Sequence, residues 1–245
     1  MKRFLLTMIA LALTTAPNAS VAQSFNAQQQ AEIRAVVRDY LVNNPDVLKD
    51  AIAALNERER AQRVRQIVSD LRDFSVGPQN AKIVIVEFFD YRCPYCMASL
   101  PWVVDTMRRR PDIRWIFKEM PIAALHGEPA VEASRASLAA MPQGRYIAFH
   151  RALMGYTGEL TSQRIDAIAR QVGIDVPEMR RRMQDQAITQ HLVDNYTLLA
   201  NAGEVQTPAF LVNGEWIYGA KFEDLNAAIT HADRAARGPW RPPGA

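Results

Sequence analysis

The strongest constraint on this chain is its cysteine pattern: two in 245 residues, Cys93 and Cys96, three positions apart in the run Cys93-Pro94-Tyr95-Cys96. A disulfide scaffold spreads its cysteines to close long loops, because the entropy removed from the unfolded chain grows with loop length. A bridge between these two closes almost no loop and stabilises little. The pair is there for its chemistry, and an ordinary core, which a chain of this length can bury, must hold the fold.

The surroundings of the pair sharpen this reading. Lys82 to Phe89 (KIVIVEFF) is β-rich and apolar nearly throughout, as expected for a central strand covered on both faces. Cys93 to Arg110 reads as a helix, with Arg108, Arg109 and Arg110 at its negative end and Pro101 placed to kink it. Cys93 then falls at a helix N-terminus, where unpaired N–H groups and the macrodipole favour a negative sulfur. Pro94 tolerates the first helical position because its missing N–H has no partner to lose there. Cys96 lies one turn in, more shielded but close enough to attack a mixed disulfide on Cys93. A thiol placed like Cys93 is a nucleophile and a good leaving group near neutral pH. The same spacing is half of a zinc site, but no second cysteine pair exists. His126, His150, His191 and His231 show no local metal spacing and receive no role, so no metal is assigned. Cu(I) held by the thiolate pair alone stays open.

The N-terminus reads as a secretory signal over residues 1–22: Lys2 and Arg3, an apolar run from Phe4 to Leu13, and Ser20-Val21-Ala22 at the cleavage position. The run is too short to span a bilayer. A periplasmic protein is expected. Cleavage removes two basic residues and no acidic one, taking the formal charge from +3 to +1. That balance gives no case for a nucleic-acid partner.

Residues 26–43 carry Ile33, Val36, Val37, Tyr40 and Leu41 at helical spacing. Asn43-Asn44-Pro45 interrupts, and a second helix follows with Val47, Leu48, Ala51, Ile52 and Leu55. Its middle, Asn56 to Arg63, is almost wholly polar before the stripe resumes at Val64, Ile67, Val68 and Leu71. A helix polar all round cannot pack into a monomer core along its length. Residues 23–74 therefore read as a helical extension, either an arm for homo-oligomerisation through residues 26–71 or a long surface helix on its own domain. Ser75 to Asn80 reads as a linker, and the main domain is expected over 75–238.

Within that domain Ile113 to Met120 is a second strand. Residues from about 127 to 203 are helical: Glu128–Ala140, Tyr146–Met154, Ser162–Val172, Pro177–Gln184 and Ile188–Ala202. Two strands, Ala209–Asn213 and Glu215–Tyr218, turn tightly at Asn213-Gly214, and a helix covers Phe222 to Ala236. The order is β–α–β, a helical block, then β–β–α. Thr207-Pro208 stands immediately before a strand, where an X-Pro bond can be cis. A cis Pro208 would set the Thr207 backbone against Cys93, ready to pair with an extended substrate.

The run Glu87-Phe88-Phe89-Asp90-Tyr91-Arg92-Cys93-Pro94-Tyr95-Cys96, the helical block and Thr207-Pro208-Ala209-Phe210 resemble the DsbA family of thioredoxin-fold oxidoreductases. The resemblance implies an α/β thioredoxin fold with an inserted helical domain, here preceded by an N-terminal helical extension. It implies a redox-active disulfide of Cys93 and Cys96, a cis-proline substrate loop at Thr207-Pro208, and no organic cofactor. Its substrates are unfolded or extended secreted proteins, and a membrane redox partner recharges the pair. It also implies that an acid and a lysine, here Glu87 and Lys118, lie under the second cysteine and handle its proton. Two departures bear on activity. Pro94-Tyr95 stands where the strong oxidases have Pro-His, so a less oxidising protein is expected. Thr207 resembles the isomerase-like and reductase-like relatives more than the oxidases. The N-terminal helices resemble those of suppressor-of-copper-sensitivity (ScsC-type) and Com1-type relatives, some of which self-associate through them. The expected activity is disulfide formation or exchange in secreted proteins. The alternatives are a homo-oligomeric isomerase or reductase, or a Cu(I)-binding copper-tolerance protein.

Overall fold

The computed structural model describes residues 25–203 and 205–237. The expected leader at 1–22 and the tail after Gly238 lie outside the described residues. The chain divides into two compact units between Ala54 and Leu55.

The first unit contains α1 (Ala27–Asn43) and the start of α2 (Pro45–Ser69). Asn26 caps α1: its side chain accepts from the Gln29 N–H at 2.9 Å, and the Gln29 side chain accepts from the Asn26 N–H at 3.0 Å. This reciprocal box satisfies two of the donors every helix start leaves open. α1 buries none of its side chains. Ile33, Val36, Val37 and Tyr40 are all exposed.

The second unit starts earlier than the expected boundary at 75. The resumed stripe of α2 is the reason. Ile67 is buried, and Val64 and Val68 pack with it against Val86, Phe88, Ile116 and Leu211. A short strand, β1 (Phe74–Val76), occupies part of the segment read as a linker. It pairs antiparallel with β3 (Arg114–Glu119), which lies parallel to β2 (Val84–Phe89). β4 (Ala209–Val212) and β5 (Glu215–Tyr218) complete a sheet in the order β1-β3-β2-β4-β5. The β4–β5 turn places Asn213 at φ 46° and Gly214 at φ 94°. Asn and Gly tolerate this left-handed backbone, as a two-residue hairpin requires. The Asn213 amide then bonds the Val84 N–H at 2.8 Å and the Lys82 carbonyl at 2.9 Å, tying the turn to β2.

Because side chains alternate along a strand, the sheet sorts its residues onto two faces. Ile85, Phe89, Trp115, Phe117 and Phe210 face α3 (Pro94–Arg109) and the helical block, in one core with Cys93 and Cys96. Val86, Phe88, Ile116, Ala209 and Leu211 face α2 and α8 (Gln186–Ala200). The block comprises α4 (Ala123–Ala140), α5 (Tyr146–Met154), α6 (Ser162–Gln171), α7 (Val176–Arg182) and α8, and α9 (Phe222–Arg237) closes the chain. α4 begins before the expected Glu128 because a first turn precedes a break at Gly127, φ 72°. No helix of the described residues is long and apolar enough to cross a membrane.

Candidate active site

β2, the central strand, delivers the loop Asp90–Arg92 and then α3. Cys93 is the N-cap of α3 and Pro94 opens its first turn. Both sulfurs are free thiols. Cys93 retains 4% exposure and Cys96 1%, so the pair is covered on nearly every side. Part of the cover over Cys93 is Thr207, in the cis Thr207–Pro208 peptide. The Cys93 thiol donates to the Thr207 carbonyl at 3.1 Å, across 114 positions of sequence. Tyr95, by contrast, is 68% exposed beside them.

The two sulfurs are held in different electrostatic states. The Cys93 thiol is lowered from the ordinary 9.0 to about 6. The largest cause is a hydrogen bond from the Cys96 thiol to the Cys93 thiolate. The Thr207 hydroxyl and the N–H groups of Cys96 and Tyr95 add to it, against the opposing effect of burial. Cys96 moves the other way, well above the ordinary thiol value, through burial and through the negative charges of Cys93 and Glu87. One sulfur is an anion near neutrality and its neighbour holds a proton beside it.

Glu87 lies on the Cys96 face of the sheet. Phe117 is opposite it on β3 and Phe210 on β4, and it is 2% exposed. Its Oε2 has no hydrogen-bond partner. Burial, and secondarily the charge of Glu119, pushes its carboxyl up. Lys118 is not its partner, which corrects the expectation that both lie under Cys96. Lys118 stands opposite Phe88, on the other face of the sheet. It is fully buried there and bonds to Asp73 and, at 3.3 Å, to Asn195 Oδ1. Register decides this: Glu87 and Lys118 have opposite parity across the paired strands, and no one-residue slip is compatible with two apolar faces.

Sequence reasoning missed three groups. Glu119, next to Lys118 but turned to the Cys96 face, is fully buried. Its Oε1 accepts from the Tyr146 hydroxyl at 2.8 Å and lies 2.9 Å from that of Tyr91. Asp90, also fully buried, accepts from the Ile122 N–H and contacts His126 Nδ1, each at 2.7 Å, while its carbonyl accepts the Cys93 N–H at 3.2 Å. The third is Asp70, Asp73 and His191. They form the one group of potential metal ligands among the described residues. The histidine spacing along the chain concealed it, because the fold brings His191 back onto Asp73 at 2.8 Å. Both carboxylates already hold cations, Arg72 on Asp70 and Lys118 on Asp73. The legible signal for Glu119 was its parity: in a buried strand it shares a face with Phe117 and Trp115.

A vicinal thiol pair at a helix mouth, one sulfur acidic and one protonated, on a β-α-β/β-β-α sheet with a cis-proline loop, defines a thiol–disulfide oxidoreductase of thioredoxin fold. Residues 84–229 match the DSBA-like thioredoxin domain, so the chain belongs to that family. Residues 29–62 match the N-terminal domain of the copper resistance protein ScsC. A thioredoxin-like oxidoreductase from Silicibacter pomeroyi is similar in structure, with TM-score 0.65 and 34% identity over 70% of this chain and 98% of that one. An ScsC variant from Proteus mirabilis matches at TM-score 0.64 and 28% identity, over 87% and 99% of the two chains. The thiol–disulfide exchange protein alpha-DsbA2 from Wolbachia pipientis matches at TM-score 0.65 and 26% identity, over 75% and 97%. In sequence, a Na(+)/H(+) antiporter NhaA 1 from Salinispora arenicola is 31% identical over 170 residues, 68% of this chain. The chain spans about a quarter of the length of the curated relatives it matches.

Proposed function

We propose that this chain is a periplasmic thiol–disulfide oxidoreductase that exchanges disulfides in secreted proteins through Cys93 and Cys96. The observation that carries this reading is the split between the sulfurs, with Cys93 lowered to about 6 and Cys96 raised. When the pair is oxidised, a substrate thiolate attacks Cys93, the Cys93–Cys96 bond breaks, and the electron pair goes to Cys96, which takes a proton. A second substrate thiolate attacks the substrate sulfur of the mixed disulfide and releases Cys93 as a thiolate. The substrate loses two electrons and the pair gains them. In the isomerising direction, the Cys93 thiolate attacks a wrong substrate disulfide and Cys96 resolves the complex if release stalls.

Thr207 covers Cys93, so a substrate strand must displace or pair with that backbone to reach the sulfur. The exposed Tyr95 stands beside the approach. Pro94 fixes the first turn of α3. Glu87 is the acid placed to exchange a proton with Cys96, and once it has ionised its charge raises that thiol. A membrane redox partner resets the pair, and the leader read at 1–22 supports the periplasm. Self-association through the N-terminal unit is supported by α1, whose Ile33, Val36, Val37 and Tyr40 face solvent. The occupant proposed for that face is a second copy of this chain. Light scattering of the full chain and of Val37→Glu tests it: a fall to monomer mass supports the interface, and a monomeric wild type overturns it.

Exchange is tested by insulin reduction and scrambled-ribonuclease repair. Cys93→Ser should abolish both, and Cys96→Ser should trap mixed disulfides. Full activity of Cys93→Ser contradicts the assignment. The match of residues 29–62 to a copper-resistance domain favours a second reading, Cu(I) as cargo of the reduced pair. Cu(I) titration of wild type against Cys93→Ser separates the two: tight, Cys93-dependent binding without exchange activity would reverse their order.

A further inference from the structure

Two buried carboxyl groups share the Cys96 face of the sheet, and they are not equivalent. Glu87 and Glu119 lie on adjacent parallel strands, offset by two positions, since Glu87 is opposite Phe117 and Glu119 opposite Phe89. They are diagonal neighbours on one face. Each has an Oε2 that is buried and unpartnered. Their surroundings differ. Glu87 Oε2 meets no donor among the described residues, and the residue sits between Phe117 and Phe210. Glu119 Oε1 receives the Tyr146 hydroxyl at 2.8 Å and has the Tyr91 hydroxyl at 2.9 Å. Ser137 Oγ lies 2.9 Å from that second hydroxyl. Asn195 Nδ2 donates to the Glu119 carbonyl at 3.2 Å.

A charge left in a low-dielectric interior goes where hydrogen-bond donors can meet it. Two such acids this close do not both ionise readily. We propose that Glu119 is a positioning residue for disulfide exchange: clamped by tyrosine hydroxyls, it takes the negative charge of the pair and so holds the remaining proton on Glu87, beneath Cys96. This rests on the exchange reading above. The groups facing the acid pair are Cys96 on α3, Tyr91 in the loop after β2, Ser134 and Ser137 on α4, and Tyr146 and His150 on α5. His150 is kept neutral by burial and supplies no competing positive charge. Burial pushes both carboxyls up to about 8; the hydroxyl donors oppose it at Glu119 alone, and the charge of Glu119 pushes Glu87 further up, so the donors decide which acid ionises first.

In the oxidising direction the proton ledger closes. The attacking thiolate forms its bond to Cys93, Cys96 departs with the electron pair, and the Glu87 proton moves to Cys96. Both carboxylates are then anionic until solvent returns a proton. Without Glu119's charge, Glu87 would surrender its proton at lower pH and stand empty when Cys96 needs it.

The test is an infrared titration of the protonated-carboxyl band, run beside the pH profile of exchange, on wild type, Glu87→Gln, Glu119→Gln and the double variant. Near neutral pH, Glu87→Gln should delete the band. Glu119→Gln should keep it but shift its midpoint down by about one pH unit, a tenfold loss of proton affinity. The basic limb of the exchange profile should shift with it, and the double variant should match Glu87→Gln, since the effect acts through that residue. A band deleted by Glu119→Gln and kept in Glu87→Gln overturns the proposal, as does an exchange limb that stays put. If Glu119→Gln does not fold, Tyr146→Phe carries the test: losing a donor should raise the first ionisation of the pair, and an unchanged titration overturns the proposal. A wild type without Cys93-dependent exchange sinks the exchange reading instead, while the infrared titration still reports where the proton sits.

Discussion

Lys118 and Glu119 are consecutive residues of one buried strand, yet they belong to two different kinds of chemistry. Lys118 points to the α8 face. Its ammonium bonds to Asp73 and Asn195, and Asp73 in turn contacts His191 Nε2 at 2.8 Å. Charge there is matched by opposite charge. Glu119 points to the Cys96 face, where no cation meets it among the described residues and one oxygen stays unpartnered. The matched cluster ties β3 to the segment before β1 and to α8. The unmatched one leaves a proton that no cation displaces, held on Glu87 in the arrangement proposed above, where it can pass to Cys96. Buried charge by itself therefore does not mark the reactive side of this sheet; incomplete compensation does.

Breaking the matched face should have the largest effect. Lys118→Met removes the ammonium from Asp73 and leaves that buried carboxylate with only His191 and Asn195, and should cost about 3–5 kcal/mol in a denaturant titration. Cys93 should still ionise near 6, because Lys118 is on the other side of the sheet. Adding Asp73→Leu should recover most of the loss, as replacing both members of a buried pair usually does. A Cys93 midpoint that moves with Lys118→Met would erase the distinction between the faces.

The Cys96 face should reveal itself through pH. His150 is buried among Phe89, Phe117 and Tyr146, and burial lowers it from 6.5 to about 3. The unfolded chain binds that proton below 6.5 and the fold does not until about 3. Stability is therefore flat above this window and falls as pH drops through it, by up to about 1.4 kcal/mol per pH unit. The buried acids have the opposite sign. Glu87 and Glu119 are raised, so their contribution is present at low pH and is lost as pH rises above the ordinary carboxylate range. Comparing stability–pH curves of wild type and His150→Leu isolates the first slope; identical curves would contradict it. A smaller effect is expected for Tyr146→Phe, about 1 kcal/mol for one lost hydrogen bond to a buried acceptor, measured by the same unfolding titration.

The legibility of the two faces in sequence differs for a physical reason. The redox pair, its strand and its helix are local: β-branched and aromatic residues, then Cys-Pro at a helix start. The cis-proline loop is readable only in context: a proline before a strand is ordinary by itself, and the CxxC after a first strand together with Gly214 and Gly219 after the proline point to cis. Glu87 was readable as an acid in an apolar run. Lys118 was found but assigned to the wrong face, because parity across two strands depends on register, and register is a tertiary property. Its partner Asp73 lies 45 positions away, and the Tyr146 clamp on Glu119 lies 27 away. No local pattern announces such contacts. β1 escaped notice because three residues, Phe74 to Val76, are too few to show alternation before Gly77-Pro78 ends them. In sequence α2 reads as an oligomerisation arm or a long surface helix, whereas the stripe after its polar middle is core, since Ile67 is 3% exposed.

The central claim is that one sulfur of the pair is an anion near neutral pH while the other keeps its proton. Ultraviolet thiolate absorbance of the reduced protein, followed from acid to alkaline pH, tests it directly. The account predicts one thiolate appearing with a midpoint near 6, lost in Cys93→Ser, and no second thiolate until well above the ordinary value of 9.0. Two sulfurs titrating together near 9.0, or a low midpoint that survives Cys93→Ser, would contradict it.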